Sequence, residues 1–533
     1  MNKAKARAGK KKKKLHKPKA KKDAGKKKVV APDKKEGRKL QAISDDGSYE
    51  ISTEYTSAKV QIAKKEGENI ATYNLKTPEM SEGTLAFLDD LRGDFLKKAT
   101  ITKQEALDIR MAEQLREKFT ALAKKMVAER MPHMSPEDVG IISEKLVNEM
   151  LGLGDLEFLL KDDWIEEICI NGCESPVWIY HRKYGWVKSN IVLPDENQIW
   201  NYSSAIARRI GRQISTQSPL LDAYLPTGDR VNATLMPISS FGNTITIRKF
   251  ARKAWTITDL IKANTISLEA AALIWLATQY EMNIIISGGT GAGKTSMLNV
   301  VCSFIPENQR VVSIEQTREI TAPKYLQWVP LVVREATGEG KGGVNMLDLL
   351  VNSLRMRPDR IIVGEIRRAE EAEVLFEAMH TGHSVYATLH AETVDETLRR
   401  LTHPPINIPT VMMESLHLIV TMYRDRRSGR RRMFELGEIV PGREGEEIKA
   451  NTLYKWDSGK DKIAPVHPSK RVMDAIKVYT NMSDSEIKKN LAERREILNW
   501  LVKEDINDVD AVGKIIAQYY DDPKAVVAKV HGK

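Results

Sequence analysis

The residues with the clearest chemical purpose are Gly288, Gly289, Thr290, Gly291, Ala292, Gly293, Lys294, Thr295 and Ser296, a glycine-rich run between the apolar stretch Asn283-Ile-Ile-Ile-Ser287 and the helix-compatible Met-Leu-Asn-Val-Val. Strand, loop and helix follow one another in the order that polyphosphate binding requires. Glycines permit positive φ and let successive backbone N–H groups close around phosphates, while the following helix presents its positive dipole end. In that setting Lys294 contacts the β- and γ-phosphates and the Thr295 hydroxyl ligates Mg²⁺. A chance glycine turn is the bland alternative, and eight matching residues in the right context argue against it. The expected ligand is Mg·ATP.

Two carboxylates follow at the ends of apolar runs. Arg310-Val-Val-Ser-Ile-Glu315 ends in Glu315, at what would be the carboxyl edge of a parallel sheet, where ligands bind in such folds. Asp359-Arg-Ile-Ile-Val-Gly364-Glu365 places Gly364 where a P-loop protein ordinarily ends its second motif in Asp, with Glu365 next. Glu365 is positioned to orient or activate an attacking water. It could equally be solvated or paired with Arg367. His383 and His390 flank the short run Ser384-Val-Tyr-Ala-Thr388, so they could meet the nucleotide and the neighbouring sheet edge; a structural hydrogen-bonded histidine is the plainer reading. Their spacing, with His380, is not that of a zinc site.

These residues need a frame to hold them. Alternating polar and apolar residues begin near residue 47 and predict a small strand-rich piece. Helical spacing takes over at 81–96, 103–130 and 136–151, with Ser135-Pro136-Glu137 a helix start. The expected organisation is a disordered Lys-rich tail over 1–45, a strand-plus-helical accessory region over 46–150, an α+β amino-domain over 151–250, a linker over 251–265, the motif-bearing domain over 266–435 and a mostly helical extension over 436–533. The dense basic stretch at 424–432 reads as an exposed hairpin turn, with a neighbouring subunit or anionic partner as the alternative.

Charge is concentrated at one end. Residues 1–40 carry 17 Lys and 2 Arg against three acids, a net of +16, so the overall +11 leaves −5 for the remainder. Such a tail is too poor in apolar residues to offset the entropy of ordering. It is expected to be a solvated extension or to contact anionic lipid headgroups; nucleic acid ranks below these, because no aromatic platform accompanies the charge. Three cysteines, Cys169, Cys173 and Cys302, are too few for a disulfide framework and fit a reducing compartment. No run of about eighteen apolar residues suggests a membrane span, and no apolar core near the start suggests a signal peptide.

Taken together, the P-loop, Ile314-Glu315 with Glu319, Leu354-Arg-Met-Arg-Pro-Asp359, Val363-Gly-Glu-Ile-Arg367 and Thr381-Gly-His383 with Thr388-Leu-His-Ala391 resemble the type II/IV secretion ATPase superfamily, over roughly residues 150–435. The preceding strands and the ending Tyr454-Lys-Trp456 with Tyr519-Tyr-Asp-Asp-Pro523 look like its archaeal branch. The resemblance implies an α/β fold with a RecA-like P-loop ATPase core, a separate α+β amino-domain and helical extensions. It identifies residues 288–295 as the Walker A loop, Glu315 and Glu319 as the acidic box, Glu365 as a degenerate Walker B glutamate, and His383 and His390 as the His box. Glu315 and Glu365 would then reach Mg²⁺ through water, and Arg230 and Arg248 would reach the phosphates from the amino-domain. Gln316 departs from the Asp that many relatives carry after the first acid.

The same resemblance implies a hexameric ring at the inner face of the cell membrane. Its ATP-driven domain motion would be passed to an integral membrane platform protein, driving assembly or secretion of pilin-like filaments, as in an archaeal pilus or archaellum. The alternatives are a conjugation-type DNA-transfer ATPase, with the basic tail on nucleic acid, and a nucleotide-switched scaffold without significant turnover.

Overall fold

The computed structural model describes residues 43–98, 112–250, 254–334, 342–440 and 448–532, apart from Glu54, Lys65, Glu66, Glu79, Gly211 and Pro226. The Lys-rich tail lies outside the described residues. No described helix is long and apolar enough to cross a membrane.

Two nine-stranded sheets organise the chain. The first contains β1 (Ser48–Ser52), β2 (Ser57–Ala63), β3 (Thr72–Lys76), β4 (Ile165–Asn171), β5 (Trp178–His181), β6 (Gly185–Ser189), β7 (Leu220–Tyr224), β8 (Arg230–Thr234) and β9 (Thr244–Arg248), in the order β1-β2-β3-β6-β5-β4-β9-β8-β7. Buried and exposed residues alternate along β1, β2, β7 and β8, as expected of strands with one face on a core and one in water. The strand-rich piece near residue 47 extends the sheet formed by the strands of residues 165–248. β3 pairs in parallel with β6, so Tyr49, Val60 and Tyr73 join the same core as Ile168, Val231 and Ile247. A sheet edge carrying unpaired backbone groups and apolar side chains is satisfied by extending its neighbour. The helices of the intervening segment include Ala112–Arg130 and Pro136–Leu151, the latter capped by Ser135 accepting from the Asp138 N–H. With Leu88, Leu91 and Phe95 they make a small core of their own.

The second sheet is built from β10 (Ile284–Gly288), β11 (Arg310–Glu315), β12 (Gln327–Val332), β13 (Arg360–Val363), β14 (Ser384–Leu389), β15 (Leu418–Arg424), β16 (Arg431–Val440), β17 (Lys449–Asp457) and β18 (Lys462–Pro465). Its order is β12-β11-β13-β14-β10-β15-β16-β17-β18; the members from β12 to β15 run parallel and the rest antiparallel. Every residue of β10, β13 and β14 is buried, because helices cover both faces of the parallel part. One of these, Leu268–Gln279, is buried on nearly all sides between the sheet and the carboxyl-terminal helices, with Trp275 stacked on Phe304. This is the RecA-like α/β core. The boundary expected at 435 falls inside β16, and the sheet continues to Pro465 before the helices Arg471–Thr480, Asp484–Lys503, Val509–Asp521 and Pro523–Val530 begin.

Candidate nucleotide site

β10 delivers the glycine run to the carboxyl edge of the parallel sheet, and the helix Lys294–Ser303 leaves it with Gly293 in the left-handed conformation (φ 99°). Gly288 is required sterically as well: a Cβ there would lie 2.4 Å from the Met422 carbonyl oxygen. The loop borders a cleft of about 500 Å³ that residues 290–296 line. Opposite them stand Arg230, Arg248, Phe250 and Trp255.

Inside the cleft a chain of polar contacts links three of the expected residues. Lys294 Nζ donates to the carbonyls of Gly288 (2.8 Å) and Gly289 (3.2 Å) and lies 3.2 Å from His390 Nδ1. His390 Nε2 is 2.5 Å from Glu365 Oε1. Arg367 donates to Glu365 Oε2 from Nε (2.8 Å) and Nη2 (2.6 Å), and contacts Gln316 Oε1 with its third nitrogen. Partial burial and the nearby Lys294 ammonium hold the His390 pKa below its ordinary value. A neutral imidazole protonated on Nε2 satisfies both neighbours at once, donating to Glu365 and accepting from Lys294.

The acids occupy the adjacent strand end. Glu315 is almost fully buried; its Oε1 accepts from the backbone N–H of Glu319 (2.8 Å) and Ile320 (2.9 Å), while Oε2 is buried without a partner. Burial pushes its pKa up to about 7. Thr295 Oγ1 donates to Glu319 Oε2 at 3.0 Å. Hydroxyl and carboxylate oxygens, one of them unsatisfied, are the donor set a hard divalent cation prefers, so the residues present fit Mg²⁺. Gly364 explains its own identity here. β11 and β13 are neighbours, and a Cβ at Gly364 would meet Glu315 Cγ at 3.3 Å. The carboxylate that a strand-end Asp would supply at position 364 stands beside it, on Glu315.

Arg230 and Arg248 face each other directly across β8 and β9. Arg230 is paired with Asp222 (2.8 Å), whereas Arg248 is exposed in the cleft with no ion pair among the described residues. Two guanidinium groups on opposite residues of a sheet repel each other. Their placement over the P-loop makes sense for an anion.

His383 does not join this site. It sits at the amino end of β14, hydrogen-bonded near Ala378 O and Thr381 Oγ1 (both 3.3 Å), while His390 lies past the carboxyl end. Six residues of extended chain separate the two by about 20 Å. His390 lines the cleft and His383 does not, because a parallel sheet brings only its carboxyl edge there.

Sequence reasoning also missed two arginines. The basic stretch is the hairpin joining β15 and β16, and only part of it is an exposed turn. Arg426, Arg427 and Arg430 are exposed, Arg432 is buried against Asp461, Arg431 Nε donates to the Gly291 carbonyl (2.9 Å), and Arg424 Nη2 donates to Tyr180 Oη (2.5 Å). The signal was the strand polarity: Arg424 ends β15 and Arg431 begins β16, both at the same sheet edge as the P-loop.

The family model described as "Type II/IV secretion system protein" matches residues 160–495. An uncharacterized protein of Methanocaldococcus jannaschii is 33% identical over 395 residues, covering 73% of this chain and 71% of the relative. The type IV secretion system protein PtlH of Bordetella pertussis is 31% identical over 308 residues, covering 51% of this chain and 89% of PtlH. Among solved structures, the Legionella pneumophila ATPase DotB is 21% identical, with a TM-score of 0.39 over 54% of this chain and 80% of that one.

Proposed function

The chain belongs to the type II/IV secretion system protein family, and on that premise we propose that it hydrolyses Mg·ATP in the cleft between the P-loop and the arginine-bearing sheet, as the motor of a secretion or pilus-assembly machine. The observation that carries this reading is the contact chain Lys294–His390–Glu365 at the carboxyl edge of the parallel sheet, facing Arg230 and Arg248. Residues 288–296 would cradle the phosphates, with Lys294 exchanging its loop carbonyls for phosphate oxygens. Thr295, with Glu315 and Glu365 through water, would hold Mg²⁺, which when bound neutralises charge on the β- and γ-phosphate oxygens. Glu319, now bonded to Thr295, would support that donor set. Glu365, kept in place by Arg367 and by the neutral His390, would orient the attacking water. Arg230 and Arg248 would spread their donors over the γ-phosphate as charge redistributes.

Release of phosphate after hydrolysis would remove the anion that draws the two arginines toward the P-loop, so the two sheets would close and open with the catalytic cycle. In a hexameric ring at the inner face of the membrane this motion would act on an integral membrane platform protein and drive a pilin-like filament. Affinity to relatives such as the Methanocaldococcus protein supports an archaeal machine. Steady-state phosphate release by the purified protein, compared with Lys294→Ala, tests the motor reading. Co-purification of a polytopic membrane protein tests the platform, and absence of such a protein from detergent-solubilised complexes would count against it.

A further inference from the structure

A single row of residues crosses the arginine-bearing sheet at right angles to its strands. The register pairs Tyr180 with Glu167, Glu167 with Arg248, Arg248 with Arg230 and Arg230 with Tyr224, so these five positions on β5, β4, β9, β8 and β7 share one face. The two arginines lie within the row between the two tyrosines, and Trp186 of β6, which pairs with Tyr180, continues it on that side.

Each tyrosine reaches from the arginine-bearing sheet to a different part of the P-loop domain. Tyr180 Oη accepts from Arg424 Nη2 at 2.5 Å, and the Arg424 guanidinium lies 5.8 Å from the tyrosine ring. Arg424 in turn packs on the tip of the phosphate loop, where a Cβ added to Gly291 would be 2.8 Å from Nη1. Tyr224 Oη shares a 2.5 Å hydrogen bond with Thr317 Oγ1, in the turn between Glu315 and Glu319. One latch thus ends on the loop that would hold phosphate and the other on the turn bearing the acidic residues.

We propose that Tyr180 and Tyr224 are positioning residues for the nucleotide site, latching the row on either side of the arginines so that Arg248 and Arg230 are held over the P-loop. Neither tyrosine is a catalytic residue; each acts through the arginines between them. The inference rests on the ATPase reading of the same cleft. Its physical content is that the closed arrangement is partly formed before nucleotide arrives. Loss of a latch lowers the closed fraction, and apparent nucleotide affinity falls in proportion to that fraction.

The test is Tyr180→Phe, Tyr224→Phe and the double variant, which remove the hydroxyls and keep the rings. Steady-state ATP hydrolysis and thermal melting are measured on the full chain, with mant-ATP binding as a readout independent of turnover. Each single variant is expected to raise both KM and the mant-ATP Kd about three- to tenfold, the worth of one net hydrogen bond, with kcat within about twofold. The double variant should exceed either single one. A merely structural role would lower Tm while leaving Kd unchanged, and that result overturns the proposal, as does an unchanged Kd in all three variants. Wild-type protein that neither binds nor hydrolyses ATP would instead remove the functional reading on which the latches rest.

Discussion

His390 Nε2 lies 2.5 Å from Glu365 Oε1, and the same imidazole meets Lys294 through Nδ1 at 3.2 Å. One ring therefore joins the lysine of the phosphate loop to the glutamate of the next-but-one strand end. Only the neutral form can accept from one neighbour and donate to the other. Removing it should unhinge Glu365 without disturbing the fold, since the ring is partly exposed at a strand terminus.

His390→Ala is accordingly expected to lower kcat by about ten- to a hundredfold, with a much smaller change in nucleotide affinity. The pH profile carries the sign. His390 titrates below its ordinary 6.5, so the acid limb of wild-type activity should fall below pH 6.5 as the ring gains a second proton and repels Lys294. An acid limb centred above pH 6.5 would contradict this assignment.

Glu315 makes a prediction about stability. Its folded pKa, about 7, lies above the ordinary 4.5, so between those values the folded chain retains a proton that the unfolded chain has lost. Its contribution is fully present below pH 4.5 and is lost as pH rises through 7, amounting at most to about 3 kcal/mol. Denaturant midpoints at pH 5 and pH 8, without nucleotide, should show wild type losing ground to Glu315→Gln as pH rises. Parallel behaviour of the two proteins would mean that Glu315 is ionised throughout.

Arg248 should separate function from stability. Its cross-strand neighbours are one cation, Arg230, already paired with Asp222, and one carboxylate, Glu167, so Arg248→Ala is expected to change the stability of the nucleotide-free protein by less than about 0.5 kcal/mol. The same variant should lower kcat by about 10³-fold, as loss of a transition-state arginine does. Thermal melts and phosphate release on the same samples check both; lower stability with intact turnover would make Arg248 a structural residue.

Gly364→Asp restores the residue a strand-end motif ordinarily carries. Here it should destabilise the protein by about 1–3 kcal/mol, because the new side chain crowds Glu315 and adds a second carboxylate beside a buried one. Urea midpoints measure the loss. Unchanged stability with faster turnover would show that the site accommodates both acids.

How much of this was legible beforehand depends on the kind of signal. The phosphate loop was legible because its residues are contiguous and Gly288, Gly291 and Gly293 take positive φ. Glu315 and Glu365 were legible as strand ends, but Gly364 acquired its reason only from the pairing of β11 with β13, a non-local relation. His383 and His390 looked equivalent by spacing; strand direction separates them, and the carboxyl-edge rule could have done so from sequence. Arg424 and Arg431 were hidden inside a run of six arginines whose local pattern does not distinguish an exposed turn from strand residues facing the P-loop. The pairing of β3 with β6 was not legible because the two strands lie more than a hundred residues apart.

Phosphate release at saturating Mg·ATP from wild type and Glu365→Gln, with mant-ATP binding as the control, measures whether Glu365 promotes ATP hydrolysis in this cleft. Wild type should turn over steadily, and the variant should release phosphate at least about a hundredfold more slowly with binding retained. Equal rates in the two proteins would contradict that role of Glu365.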